Sequence, residues 1–198
     1  GADGHGVFRL PQYVRRIRAG GMNATAVPRI VQERPGAALV DGDNGLGHLA
    51  TRLAAETAIA KARTQGVAWC GVRNGNHAGP ASLYARMVQE AGMIGLYLAV
   101  GSANHLPPWG GLELLLSTNP IAVAVPAGEE PPVVLDMATT VAAWSNIVRQ
   151  LSRTSKSSSM KSPKPSRTWT PSRHQADKNA AALYALCRQA MLVQAVGA

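Results

Sequence analysis

The sequence predicts a layered α/β fold, because stretches with helical periodicity alternate with short apolar stretches that are typical of buried strands. Residues 46–65 form an Ala-rich helical stretch, and Gly66 follows it where a helix C-cap favours glycine. Residues 67–72 then form a short apolar strand. The apolar content of 46% over 198 residues is that of a globular protein and excludes a fully disordered chain.

The remaining elements follow from the same patterns. Further helices are predicted over residues 5–19 and 80–91, and further strands over residues 37–40, 94–100, 121–125 and 133–135. No run of about 18 apolar residues is present, so no membrane-spanning helix is predicted. The first residues show no signal-peptide pattern, and two cysteines cannot form a disulfide framework. We therefore expect a cytoplasmic protein that is not bound to a membrane.

Composition changes near residue 149, which predicts a body over residues 1–148 and a tail over residues 149–198. Eight serines lie between residues 152 and 172, and eight basic residues against one acid follow residue 150. The formal net charge of +9 is therefore mainly a property of the tail. Residues 179–196 are rich in Ala and Leu and are predicted to form a helix. A basic-tailed protein that binds nucleic acid or another polyanion is the alternative to an enzyme, but few aromatic residues are available for stacking.

The motif GLGHLA at residues 45–50 follows a strand and opens a helix, which is the context of a dinucleotide-binding loop. The next strand, however, is followed by Arg73 and Asn74 rather than by an acidic residue for the ribose. We therefore favour a glycine turn at the start of a helix.

His77 lies in NHAGP, between a predicted strand and a predicted helix, where α/β sheets place ligands. Its imidazole is suited to proton transfer near neutral pH, and a histidine that caps the following helix is the alternative.

His5, Arg9 and Tyr13 are spaced by four residues and share one face of a helix. Arginine beside histidine suits a 2-oxo or 2-hydroxy acid, because the guanidinium can bind a carboxylate through two hydrogen bonds. A solvated polar face is the alternative.

The segment that begins at Asp136 follows a strand and is predicted to open a helix, where free backbone N–H groups could bind phosphate. The alternative is that Asp136 or Thr139 only caps that helix. Cys70 has no Cys or His partner at metal-ligand spacing, so no metal site is predicted.

Taken together and in order, HGVFRLPQY, ALVDGDNGLG, NGNHAGP, PPWGG, STNPIAVAVP and VVLDMATTVAAW resemble the second type of malate/L-lactate dehydrogenase family. This family includes ureidoglycolate and sulfolactate dehydrogenases. The resemblance implies a layered α/β/α fold with a mixed, non-Rossmann sheet, usually in a homodimer. It also implies hydride transfer between NAD or NADP and a small 2-hydroxy or 2-oxo acid.

The resemblance also implies roles for particular residues. His77 matches the catalytic acid/base, and His5 and Arg9 match residues that orient the substrate, with Tyr13 beside them. The residues that match cofactor contacts are Ser102, Thr118, Asn119, Asp136, Met137 and Ala138. In this mechanism His77 gives its proton to the alkoxide that forms as hydride reaches the 2-oxo carbon.

The likeness ends near Trp144, where the family usually continues with Gly-Lys and this chain has Ser145 and Asn146. The change in composition at the same place suggests that residues from 145 onward are read from a shifted frame. The chain would then be an incomplete and inactive member of the family. A genuine segment is the alternative.

Overall fold

The computed structural model of the protein describes residues 5–101, 105–140 and 191–197, the last of these by their backbone. A short 3₁₀ helix spans Gly6–Arg9, and the α-helices are α1 Leu10–Arg18, α2 Gly47–Gln65 and α3 Ser82–Glu90. The strands are β1 Arg29–Arg34, β2 Ala37–Asp41, β3 Val67–Arg73, β4 Met93–Leu98, β5 Ile121–Val125, β6 Val133–Met137 and β7 Met191–Gly197.

The strands form one mixed sheet in the order β1-β2-β3-β7-β4-β5-β6. Strands β2 and β3 are parallel, and the other neighbours are antiparallel. A right-handed crossover through a helix is the usual link between parallel neighbours, and α2 is the helix that joins β2 to β3 here. The predicted α/β class with a mixed sheet is confirmed.

Helices α2 and α3 lie side by side on the sheet, α2 over β2, β3 and β7 and α3 over β4 and β5. The alternating side chains of β3 show which face is covered: Ala68, Cys70 and Val72 are buried, whereas Val67 and Trp69 are exposed. Alanines of α2 fill the layer between helix and sheet, namely Ala50, Ala54, Ala55, Ala58 and Ala62. These small side chains allow the helix to approach the strands closely.

The helix over residues 46–65 was predicted nearly to its ends, and Gly66 has the left-handed φ of 77° expected of a C-cap. The predicted helix over residues 5–19 is instead divided. A 3₁₀ turn precedes α1, and Pro11 occupies its first turn, where a missing N–H costs no helical hydrogen bond.

Strand β1 was not predicted. All six of its residues are exposed, so it lacks the alternation of buried and exposed residues that identifies a strand in a sequence. It forms an antiparallel hairpin with β2 through Arg34 and Ala37.

The predicted helix over residues 179–196 is wrong for residues 191–196, which belong to β7. This strand pairs on both sides, with β3 and with β4, so its backbone hydrogen bonds complete the centre of the sheet. Tertiary pairing of this kind outweighs the helix propensity of Ala and Leu. Of the predicted basic tail over residues 149–198, residues 149–190 lie outside the described residues, as does the proposed frame change at residue 145. The division at residue 149 stays a prediction. In the part of the chain that is described, no helix is long and apolar enough to cross a membrane.

Candidate active site

The candidate site lies where the parallel strands β2 and β3 end. Carboxyl ends of parallel neighbours meet at one edge of a sheet, and the loops that leave them carry ligands in many α/β proteins. The loop after β2 leads into α2 and brings His48, and the loop after β3 leads towards α3 and brings His77. The 3₁₀ turn and α1 add His5, Arg9 and Tyr13 to the same place.

His77 is the centre of this cluster. The Tyr13 hydroxyl lies 2.6 Å from its Nδ1, and the backbone N–H of Gly79 donates to the same nitrogen over 3.3 Å. The His5 ring stacks on the His77 ring with centroids 5.4 Å apart, and His48 meets it edge-on at 6.3 Å. The imidazoles of His5 and His48 and the phenol of Tyr13 therefore surround the partly buried ring of His77.

The electrostatics of the cluster favour neutral imidazoles. Burial, followed by the charges of Arg9, His5 and His48, lowers the pKa of His77 to about 3. Burial also lowers the pKa of His48. The pKa of His5 is lowered mainly by burial and then by the charge of Arg9, while Asp136 has a smaller effect in the opposite direction. At neutral pH His77 is therefore an uncharged imidazole beside a cationic arginine.

The loop that carries His77 is held by Asn76, a side chain that is only 7% exposed. Its Nδ2 donates to the backbone oxygens of Asn44 and Gly45 at 2.8 and 3.0 Å, and its Oδ1 accepts from Arg16 Nη2 at 2.9 Å. One amide thus links the loop after β3 to the loop after β2 and to α1. These are the elements that carry His77, His48 and Tyr13.

Two glycines allow the loops to approach one another. A Cβ on Gly47 would overlap the backbone oxygen of Asn76, and a Cβ on Gly79 would lie 2.8 Å from His48 Nε2. Gly79 also has a φ of +80°, which disfavours other residues. The GLGHLA motif is therefore a close-packed helix start, as favoured from its sequence: α2 begins at Gly47.

The predicted cofactor contacts gather at a neighbouring position on the sheet. The Thr139 backbone N–H donates to the Thr118 carbonyl over 3.0 Å. The Thr139 hydroxyl lies within hydrogen-bond distance of two carbonyl oxygens, that of Thr118 at 3.2 Å and that of Asn119 at 3.0 Å. Asn119 has a positive φ, and its Oδ1 accepts from the Gly101 N–H at 2.9 Å. Ser102 lies outside the described residues. Hydrogen bonds therefore join Thr118 and Asn119 to Thr139, in the segment after β6.

The expectation that Asp136 follows a strand is wrong, because Asp136 and Met137 lie within β6, and Ala138 is the first residue after it. Asp136 accepts a hydrogen bond from the backbone N–H of Ser82 at 2.8 Å, so it caps α3 rather than a helix of its own segment. The segment 136–140 was predicted to open a helix, but none of its residues is helical, and the residues that follow lie outside the described part of the chain. The N-cap position of α3 is Ala81, and the backbone N–H that donates to His77 Nδ1 is that of Gly79, which precedes the helix. Asp136 also acts electrostatically on His5 and raises its pKa, against the larger effects of burial and Arg9.

Sequence reasoning placed His5, Arg9, Tyr13 and His77 in one site, and the structure brings all four together. It missed His48 and Asn76 as members. The available signal was positional, since a residue at the start of the helix after β2 must lie near the loop after a parallel β3. His48 and Tyr84 also line an apolar groove of about 350 Å³ between α2 and α3. The Tyr84 hydroxyl donates to the backbone oxygen of Ala78, the residue after His77.

In the described residues no group of three or more histidine, cysteine or acidic side chains has the geometry of a metal site. The His5 ring stacks on His77 and the His48 ring meets it edge-on.

The comparison with known proteins agrees with this geometry. The profile of the malate/L-lactate dehydrogenase family matches residues 1–157, so the chain belongs to that family. Among relatives, the malate dehydrogenase of Pyrococcus horikoshii is 44% identical over 141 residues, which is 71% of this chain and 39% of that protein. The L-sulfolactate dehydrogenase of Methanocaldococcus jannaschii is 38% identical over 151 residues, 76% of this chain and 43% of that protein.

Solved structures show the same relationship. The malate dehydrogenase structure from Pyrococcus horikoshii superposes with a TM-score of 0.69 at 41% identity and covers 74% of this chain and 42% of that chain. The sulfolactate dehydrogenase structure from Methanocaldococcus jannaschii gives a TM-score of 0.75 at 29% identity over 100% of this chain and 67% of that one. The chain spans about two fifths of the length of the sequence relatives that it matches.

Proposed function

We propose that the chain carries the substrate-side half of the active site of a nicotinamide-dependent dehydrogenase that interconverts a small 2-hydroxy acid and its 2-oxo acid. The observation that supports this most directly is the cluster itself: a neutral His77 bonded to Tyr13 and flanked by His5 and Arg9. A proton-transfer group beside an arginine is what a carboxylate with an adjacent hydroxyl or carbonyl requires.

Arg9 is proposed to bind the substrate carboxylate, and His77 to exchange a proton with the neighbouring oxygen. The two roles assist each other electrostatically. The charge of Arg9 is one of the causes that depress the pKa of His77, and a bound carboxylate would offset that charge. Substrate binding should therefore raise the pKa of His77 above its value in the free protein. His5, stacked on His77, is proposed to orient the carbonyl.

The residues proposed to hold NAD or NADP are Thr118, Asn119, Asp136, Met137 and Ala138, together with Ser102. This proposal is supported by the hydrogen bonds that join Thr139 to Thr118 and Asn119, and by the electrostatic effect of Asp136 on His5. When bound, the nicotinamide supplies or accepts the hydride. The protein residues then bind the substrate, orient it and move one proton at its oxygen.

We propose a homodimer in the cytoplasm as the working state of the intact enzyme. The side of the sheet opposite α2 and α3 supports an additional covering layer, because apolar side chains of three strands are exposed there. These are Val67, Trp69, Ile94, Val133 and Leu135. A layer from a second protomer or from a longer chain would remove this surface from water.

The test uses the full chain with NADH and, separately, NADPH. Cofactor binding is followed by fluorescence titration, and turnover is measured with a panel of 2-oxo acids that includes oxaloacetate, pyruvate and sulfopyruvate. We expect saturable binding of one cofactor, and His77→Gln should reduce kcat by about 10²- to 10⁴-fold with cofactor affinity unchanged. Arg15→Gln, an exposed change on α1, is the matched control. Undiminished turnover in His77→Gln would overturn the assignment of His77.

A further inference from the structure

The pair of hydrogen bonds at His77 Nδ1 determines which nitrogen carries the proton. A backbone N–H can only donate, so the Gly79 N–H requires an unprotonated Nδ1 with its lone pair available. The Tyr13 hydroxyl, 2.6 Å from the same nitrogen, must then donate as well. Neutral His77 is therefore the tautomer with its proton on Nε2.

This tautomer has a consequence for proton transfer. Once Nε2–H gives its proton to an acceptor, the ring is an anion unless Nδ1 gains a proton at the same time. An imidazolate is far too basic to form at neutral pH without such compensation. The Tyr13 hydroxyl is already bonded to Nδ1 and is the side chain placed to supply that proton.

We propose that Tyr13 is the positioning residue of His77: its hydroxyl holds the Nε2–H tautomer and passes a proton to Nδ1 as Nε2 releases one. The role in turnover rests on the proposed function. In the reducing direction, hydride arrives at the 2-oxo carbon, Nε2–H breaks and O–H forms on the product, while Tyr13 O–H breaks and Nδ1–H forms. Nε2 then takes a proton from water while the proton on Nδ1 returns to the phenolate, which restores both the Nε2–H tautomer and the neutral Tyr13 hydroxyl. The opposite sequence serves oxidation.

The surroundings of Tyr13 suit this cycle. Its side chain is only partly buried, so water can reach it. Burial raises the pKa of Tyr13, and the neighbouring Arg9 acts in the opposite direction by stabilising a phenolate. The charged and titratable groups that act on the pair are Arg9 and His5 from the N-terminal turn, His48 from α2 and Tyr84 from α3.

The contact is tested first without any turnover. The full chain is labelled with ¹⁵N-histidine, and the His77 resonances are assigned by their loss in His77→Gln. We expect an unprotonated Nδ1 and a protonated Nε2 at pH 7.5. Tyr13→Phe keeps the ring and removes only the hydroxyl, so it should weaken the tautomer preference and raise the pKa of His77, because a bond to the neutral form is lost.

Arg15→Gln on the same helix should leave both properties unchanged. A proton on Nδ1 in the wild type, or His77 resonances and pKa unchanged in Tyr13→Phe, would overturn the proposal.

Turnover is measured separately. With a 2-oxo acid that the wild type reduces, Tyr13→Phe should lower kcat at least tenfold and change KM little. Unchanged kcat would overturn the relay. If the wild type neither binds a nicotinamide cofactor nor turns over, the proposed function fails, and the ¹⁵N spectra still decide whether Tyr13 controls the protonation of His77.

Discussion

Burial of His77 makes a quantitative prediction about the acid stability of the protein. In the unfolded chain the imidazole has its ordinary pKa of 6.5, whereas burial and the nearby Arg9 lower the pKa in the folded state to about 3. Between these two values the unfolded chain binds a proton that the folded protein does not. The stability is therefore complete above pH 6.5 and decreases as the pH falls towards 3.

The size of the effect follows from the two pKa values. Each pH unit in this window costs about 1.4 kcal/mol, so His77 should reduce the free energy of unfolding by about 2 kcal/mol between pH 7.5 and pH 5.0. Because pH 5.0 lies well above the folded pKa, this figure depends mainly on the unfolded value.

His77→Gln removes the titrating group and serves as the comparison. Urea unfolding of both proteins is followed by tryptophan fluorescence at the two pH values and one ionic strength. The stability difference, wild type minus variant, should be about 2 kcal/mol smaller at pH 5.0 than at pH 7.5. His5 and His48 have the same sign of pKa shift and remain present in both proteins. If the stability difference between wild type and His77→Gln were the same at both pH values, the pKa of His77 would have to be equal in the folded and unfolded states. Burial would then not lower the pKa of His77.

Two further predictions concern packing. Gly47→Ala places a methyl group against the backbone oxygen of Asn76 and should lower the free energy of unfolding by about 1–3 kcal/mol. In the control Gly21→Ala the added Cβ makes only an ordinary van der Waals contact, so the free energy of unfolding should change by less than about 0.5 kcal/mol. Equal stability of the two variants in urea would contradict this prediction. The second prediction concerns Cys70, which is fully buried and whose pKa is raised to about 11 by burial. In a Cys187→Ser background, Cys70 should react with a thiol reagent at pH 8 far more slowly in the native protein than in urea. Equal rates would contradict the burial of Cys70.

The parts of the fold that could be predicted are those whose side chains report burial directly. Strand β3 alternates buried and exposed residues, and α2 combines a long apolar period with a glycine C-cap, so both were found with nearly correct bounds. Strand β1 is exposed along its whole length, and β7 exists because two other strands pair with it. Neither condition can be read from the residues of the strand itself.

The site divides in the same way. His77, His5, Arg9 and Tyr13 were expected together because their motifs have the order and spacing of one family. His48 required the knowledge that β2 and β3 are parallel neighbours, which a single sequence does not contain. Local pattern identifies the chemical groups, and the parallel pairing of the strands decides which of them meet.

The same burial explains why the loop around His77 is built as tightly as it is. Removing an imidazole from water costs free energy below pH 6.5, so the loop must be held by contacts that do not depend on the protonation of His77. Asn76 supplies them through uncharged amide bonds to the loop after β2, and Gly47 and Gly79 leave room for the backbone and for His48. A looser loop would admit water, raise the pKa of His77 and weaken the hydrogen bond from Tyr13. The hydrogen bonds of Asn76 therefore keep His77 buried, and burial keeps its imidazole neutral beside Arg9. The same burial causes the loss of stability in acid.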